Sequence, residues 1–204
     1  MQNAFKDSLK KLNDLNLVNF SNFSQRGIEK ESLRVNDSEI SNSDHPKALG
    51  SALTNPFITT DFSEALLEFI TRKSSTVEKA LDDLKIILTY THQNIEDVIW
   101  PGSVPCSIRD ESKIRIANYG TSNSGKLKEL YRIGLSYRYG SMMQCVSGIH
   151  YNFSLNEDFF KKWQGSKENF QSFQNEKYLN LIRNFRKNAW LLLYLFGASP
   201  VVPN

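Results

Sequence analysis

Only two cysteines, Cys106 and Cys145, occur in 204 residues. That is too few for a disulfide framework and fits a reducing compartment. No charge sign dominates either. The 25 Lys and Arg against 22 Asp and Glu leave a formal +3, too little to argue for nucleic acid or an anionic membrane as the partner. Long apolar runs are missing as well: the most apolar stretch, Ala189 to Ala198, falls short of the roughly 20 residues needed to span a bilayer. The opening M-Q-N-A-F-K-D-S-L-K-K has no long apolar stretch behind its charges, so no secretory signal is expected and the expected location is cytoplasmic. There is no internal repeat or low-complexity tract. What is present is 40% hydrophobic residues, with 12% aromatics, enough to pack the core of one large domain or two small ones.

The basic excess is local. Between Lys161 and Lys187 seven Lys or Arg and two Glu are interleaved with Trp163, Phe170, Phe173, Tyr178 and Phe185, a composition an RNA-binding face also has. An amphipathic helix with a basic solvent face and an aromatic core face explains it more simply.

Apolar residues Phe5, Leu9, Leu12 and Leu15 recur at helical spacing over residues 5 to 18. A first strand is expected from Gln25 to Val35, followed by a polar loop, N-D-S-E-I-S-N-S-D-H-P. Thr54 to Thr71 reads as extended. Thr76 to Val98 reads as a helix capped by Thr76, with Val77, Leu81, Leu84, Ile87 and Leu88 on one stripe. Trp100 to Pro105 must be irregular, because two prolines and a glycine interrupt it. Further helices are expected at Gly125 to Tyr139, Glu157 to Trp163 and Glu176 to Phe196, with Met142 to Leu155 strand-like. Strands and helices without regular βαβ alternation indicate an α+β fold with an antiparallel sheet.

Three segments carry candidate ligands. In R-G-I-E-K-E-S-L-R-V, Glu29 and Glu31 stand two apart, so on a strand they share a face about 6.5–7 Å from each other. Two carboxylates there repel unless cations lie between them, and hard divalent ions prefer such oxygen ligands. In I-T-T-D-F-S-E-A-L-L-E-F-I-T, Asp61 and Glu68 sit among residues that should be buried, a costly place for an unpaired carboxylate. Their opposite parity puts them on opposite faces of an unbroken strand, so aligning them needs a bend near Ser63. In M-Q-C-V-S-G-I-H-Y-N-F a continuous strand puts Gln144, His150 and Asn152 on one face, and beside so many acids His150 becomes a candidate ligand.

G-T-S-N-S-G-K at 120–126 has most of the spacing of a phosphate-binding loop, but Leu127 stands where Ser or Thr must reach magnesium, and the preceding I-R-I-A-N-Y is not a buried strand. It reads instead as a loop capping the next helix. On that helix Leu127, Tyr131 and Leu135 form one stripe beside Arg132. The stripe suits core packing, and equally a small apolar pocket with an arginine for a carboxylate.

Taken in order, R-G-I-E-K-E-S-L-R-V, L-G-S-A-L-T-N-P-F-I-T-T-D-F-S-E-A-L-L-E-F-I-T, W-P-G-S-V-P-C, Y-G-T-S-N-S-G-K-L-K-E-L-Y-R-I-G-L, Y-G-S-M-M-Q, S-G-I-H-Y-N-F-S-L and Y-L-F-G-A-S-P resemble the gamma-proteobacterial type of glutamate–cysteine ligase, from about Gln25 to Pro200. The resemblance implies a glutamine-synthetase-like antiparallel sheet against which ATP and Mg²⁺ lie, Mn²⁺ being a workable substitute. It implies metal ligation by Glu29, Glu31, Asp61, Glu68 and His150. Phe62, Tyr131, Leu135 and Gln144 would line the cysteine pocket, with Arg132 a weaker candidate for contacting the amino-acid substrates. The implied partners are L-glutamate, L-cysteine and ATP, with neither nucleic acid nor membrane. ATP would phosphorylate the glutamate γ-carboxylate and the cysteine amine would attack the acyl phosphate, with no covalent enzyme nucleophile, so Cys106 and Cys145 would need no catalytic role and are expected to be packing residues. Members of that family continue well past Asn204, so residues 1–204 are expected to form a single domain that is the amino-terminal part of a larger catalytic domain. The competing expectation is a non-catalytic relative that binds an amino acid or regulates a partner; retention of all five candidate ligands argues against it.

Overall fold

The computed structural model describes residues 2–166 and 168–197, with side chains from Phe5 onward. The end of the last apolar run and the S-P after it lie outside these residues. The described chain divides into two compact units, one formed by Gln25–Phe153 and one by the residues before and after it.

The larger unit is built on one sheet. Strand β1 (Ser24–Asn36) is its spine and pairs antiparallel with β2 (Glu39–Ile40), β4 (Leu66–Ile70) and β5 (Val98–Ile99), while β3 (Ile58–Thr60) pairs antiparallel with β4. Strand β6 (Ile149–Leu155) also pairs with β1. The antiparallel α+β expectation is therefore met. The expected polar loop after β1 instead begins with a two-residue hairpin: Asn36 faces Glu39, and Asp37 and Ser38 take left-handed φ values of 48° and 65°, the twist that two-residue turns require. The segment Thr54 to Thr71 is not one extended run. It folds back on itself, Thr60 opposite Leu67, with the Leu66 N–H donating to Ser63 O at 3.0 Å and to Ser63 Oγ at 3.1 Å.

One sheet face is covered by α2 (Val77–Asn94), which buries Ala80, Ile87 and Thr91. Its Ile87, with Leu84 and Leu88, packs on Leu67, Phe69, Ile58, Ile99 and Leu49. Thr76 caps it, Oγ1 accepting from the Lys79 N–H at 3.2 Å. The helix ends four residues short of the expected Val98, which enters β5, and Val77 and Leu81 are exposed. The other sheet face is divided. At one end Leu33, Val35 and Leu66 join Phe62, Cys106, Ile114 and Cys145 in a second core cluster, so both cysteines are packing residues as expected. At the other end that face is acidic.

Arg34, wholly buried, ties the loops to the spine. Its guanidinium donates to Asp97 Oδ2 at 2.6 Å, to Ser43 O at 2.8 Å and to Glu64 O at 3.0 Å. Helix α3 (Asn123–Tyr139) starts at Ser122, whose Oγ accepts from the Gly125 N–H at 3.1 Å. The expected strand from Met142 breaks up: Met142–Cys145 is a 3-10 turn that buries Cys145, and β6 begins only at Ile149. Gln144 is thus off the strand.

The smaller unit holds α1 (Gln2–Asp14), α4 (Glu157–Gln164) and α5 (Phe170–Phe196), the last starting six residues before its expected position. Leu17, Phe159 and Phe160 form its core with Trp163, Phe173 and Tyr178 around them. Lys177 lies 5.3 Å from the Trp163 ring and 5.0 Å from that of Phe173, and Lys161 pairs with Glu157 at 2.7 Å. In this way two of the basic residues fold over the aromatic cluster or pair with an acid. Among the described residues no helix is long and apolar enough to cross a membrane.

Candidate functional site

In an antiparallel ladder, directly opposite residues share a face, as do residues two apart on one strand. Glu31 stands opposite Glu68, which stands opposite Thr59; Glu29 is two before Glu31 and Asp61 two after Thr59. The Asp61 N–H still donates to Leu66 O at 2.9 Å, so Asp61 keeps the ladder's orientation just past the end of β3. All four carboxylates therefore lie on the sheet face that α2 leaves free. The bend at Ser63 is what reconciles Asp61 with Glu68.

Beside them β1 meets β6. His150 Nδ1 lies 3.3 Å from Glu29 Oε2 and 4.0 Å from Glu31 Oε1. Asn152 Nδ2 donates to Glu29 Oε1 at 2.9 Å, and the Gly148 N–H donates to Glu31 Oε2 at 2.7 Å. Glu29, Glu68 and His150 each present one ligand atom within 4.8 Å of the others. Gly148 sits close to His150 and Glu31: a Cβ there would lie 3.2 Å from His150 Nε2 and 3.3 Å from Glu31 Oε2, so those side chains would have to give by a few tenths of an ångström.

Charge is crowded in this cluster. Burial pushes the Glu68 carboxyl up to about 7, and the neighbouring Asp61, Glu29 and Glu31 carboxylates add to the effect against the opposing influence of His150. Glu31 is raised in the same direction, first by burial, with the Gly148 N–H holding it down in part. Desolvation and like charge both favour the protonated acid.

The pocket candidates are dispersed in environment. Phe62, 1% exposed, and the half-buried Leu135 both join the apolar cluster at the far end of this face. Tyr131 stands 64% exposed on α3, and Gln144 is half-buried in the 3-10 turn. Arg132 is already engaged: its Nε donates to Asp61 O, its Nη1 to Lys128 O at 3.0 Å, and its guanidinium lies 4.7 Å from the Tyr119 ring. Sequence reasoning passed over Tyr119, Gly148 and Glu64. Glu64 sits within the acid-bearing segment yet is 4% exposed and structural, accepting from the His45 N–H at 2.9 Å and the Asn118 N–H at 2.7 Å. No spacing rule marks any of the three, since each acts on a segment distant in sequence.

Fold and face together define an α+β protein in which one sheet surface gathers four carboxylates and a histidine. The glutamate-cysteine ligase family profile matches residues 9–204, and the chain belongs to that family. It is 51% identical over 183 residues to a glutamate–cysteine ligase of Hahella chejuensis, covering 87% of this chain and 35% of the relative. It is 46% identical over 207 residues to one from a Janthinobacterium species, covering 99% of this chain and 39% of the relative. The crystal structure of Francisella tularensis glutamate–cysteine ligase in complex with AMP superposes with a TM-score of 0.78 at 41% identity, over 87% of this chain and 36% of that one. The chain thus spans a little over a third of the length of the relatives it matches.

Proposed function

We propose that this chain forms the part of an ATP-dependent glutamate–cysteine ligase that holds the divalent cations and one wall of the cysteine pocket. The observation that carries the proposal is the convergence of Glu29, Glu31, Asp61, Glu68 and His150 on one sheet face. The donor set fits Mg²⁺ or Mn²⁺, being carboxylate oxygens with one imidazole. The elevated Glu68 carboxyl supports the same reading: burial first, and then the neighbouring Asp61, Glu29 and Glu31 carboxylates, disfavour its charge, which a cation would offset. Such cations would neutralise charge on a transferring phosphoryl group. The chain's own residues hold the acids in place: Asn152 donates to Glu29 Oε1 and the Gly148 N–H to Glu31 Oε2, while the remaining oxygens, Glu29 Oε2 and Glu31 Oε1, face His150 Nδ1 at 3.3 and 4.0 Å, so acids and imidazole point at one another.

In this reading ATP, as the AMP complex of the Francisella relative supports, phosphorylates the L-glutamate γ-carboxylate, and the L-cysteine amine displaces phosphate from the acyl phosphate. Phe62, Tyr131, Leu135 and Gln144 contribute to the cysteine pocket, Arg132 stands by as a weaker contact to the amino acids, and the reaction takes place in the cytoplasm. The test is ADP release by the natural gene product with Mg²⁺, ATP and glutamate, with and without cysteine. Cysteine-dependent turnover that Glu29→Gln abolishes is the expected result; a folded product without cysteine-dependent turnover would sink the assignment.

A further inference from the structure

Three of the four acids of the open face are set in paired strands, and Asp61 is not. It lies just beyond the three-residue strand β3, where the turn through Ser63 begins. Short edge strands and turns open more readily than central ones, so something else must hold this carboxylate on the face. Tyr119 and Arg132 converge there. The Tyr119 hydroxyl, on a residue 5% exposed, lies 2.6 Å from Thr60 O and 3.1 Å from Asp61 O, and Arg132 Nε donates to that same Asp61 carbonyl. The guanidinium lies over the Tyr119 ring, 4.7 Å from its centroid, and its Nη2 lies 3.9 Å from Asp61 Oδ1. The Arg132 side chain is 11% exposed against 42% for that of Asp61.

The G-T-S-N-S-G-K loop now has a structural role. A Cβ at Gly125 would stand 2.5 Å from Tyr119 O and 2.9 Å from Gly120 O, so glycine lets the first turn of α3 close onto the chain that carries Tyr119. That contact sets the register in which Arg132, two turns along α3, reaches the same carbonyl as Tyr119.

We propose that Tyr119 and Arg132 form a positioning clamp for Asp61, fixing the Thr60–Asp61 backbone so that the Asp61 carboxylate is held on the acidic face. The inference rests on the reading of that face as a divalent-cation site. Arg132 is then a positioning residue whose fork, reaching the Asp61 carbonyl through Nε and lying toward its carboxylate through Nη2, lysine cannot reproduce, and Tyr119 contributes through its hydroxyl and its ring.

The test is Mn²⁺ binding, followed by electron paramagnetic resonance, in the unsubstituted protein, Tyr119→Phe, Arg132→Lys and the control Glu29→Gln, with hydrogen exchange at the Asp61 amide measured in chelator. Tyr119→Phe removes one oxygen, so it keeps the test alive should Arg132→Lys fold poorly. Expected are several-fold faster exchange at the Asp61 amide and Mn²⁺ affinity weakened about 10-fold, the usual effect of losing a group behind a ligand, with Glu29→Gln losing binding outright. If Glu29→Gln abolishes binding while both clamp variants keep affinity within about twofold of the unsubstituted protein, the clamp is overturned and the cation site stands. If Glu29→Gln leaves binding intact, the cation reading fails and takes the clamp with it.

Discussion

Replacing Glu68 with glutamine should flatten the pH dependence of stability, and the sign follows from the cluster. The folded protein raises this carboxyl from 4.5 to about 7, so the folded state holds the proton more tightly than the unfolded chain does. The resulting stability is fully present below about pH 4.5 and is lost as pH rises through about 7. At 1.36 kcal/mol per pH unit the gap has a ceiling of about 3.4 kcal/mol. Glu68 is only half-buried, so solvent screening reduces the expected loss to roughly 1–2 kcal/mol. Urea unfolding in chelator at pH 5, 6.5 and 8 measures it. Glu68→Gln, which resembles the protonated acid, should match the unsubstituted protein at pH 5 and exceed it by that amount at pH 8. Some slope should survive in the variant, because Glu31 is shifted in the same direction. Adding Mn²⁺ at pH 8 should then stabilise the unsubstituted protein more than the variant. Identical pH slopes in the two proteins would refute the argument that burial and like charge load this carboxylate.

Gly148→Ala keeps the N–H that Glu31 accepts but forces a Cβ against His150 and Glu31; Mn²⁺ affinity by calorimetry should fall about tenfold, while stability changes by under about 1 kcal/mol. Asp97→Ala leaves the wholly buried Arg34 guanidinium without its carboxylate, and urea unfolding should register a loss of about 3–5 kcal/mol. Thr76→Ala removes the cap of α2 and should lower stability by about 1 kcal/mol in the same assay.

Local rules carried a good deal of this. Strand β1, the Thr76 cap, α3 and the irregular Trp100–Pro105 segment were all legible, because each depends on periodicity or on a residue's own backbone preference. The pairing of Glu29 with Glu31 followed from strand parity alone. The alignment of Asp61 with Glu68 was legible only as a requirement for a bend, since parity states a conflict and not its resolution. The strand expected from Met142 failed for a related reason: alternation looks the same whether a segment pairs or, as at Met142–Cys145, turns to bury a cysteine.

The sequence by itself determined which residue types and local elements were available: the acids in strand-forming segments, the helix caps, and the order of motifs that places the chain in its family. Only the tertiary structure decided how they meet. It set Glu31 opposite Glu68, folded the Ser63 turn that brings Asp61 to their face, brought His150 and Gly148 alongside, and assigned Glu64 to the loops rather than the site. Tyr119 and Arg132 became partners of Asp61 in the same way. The physical reason is that propensity and periodicity act over a few neighbouring residues, whereas these contacts, the Ser63 turn aside, join positions 19 to 121 apart in sequence, whose register is set by how the whole sheet buries its apolar surface.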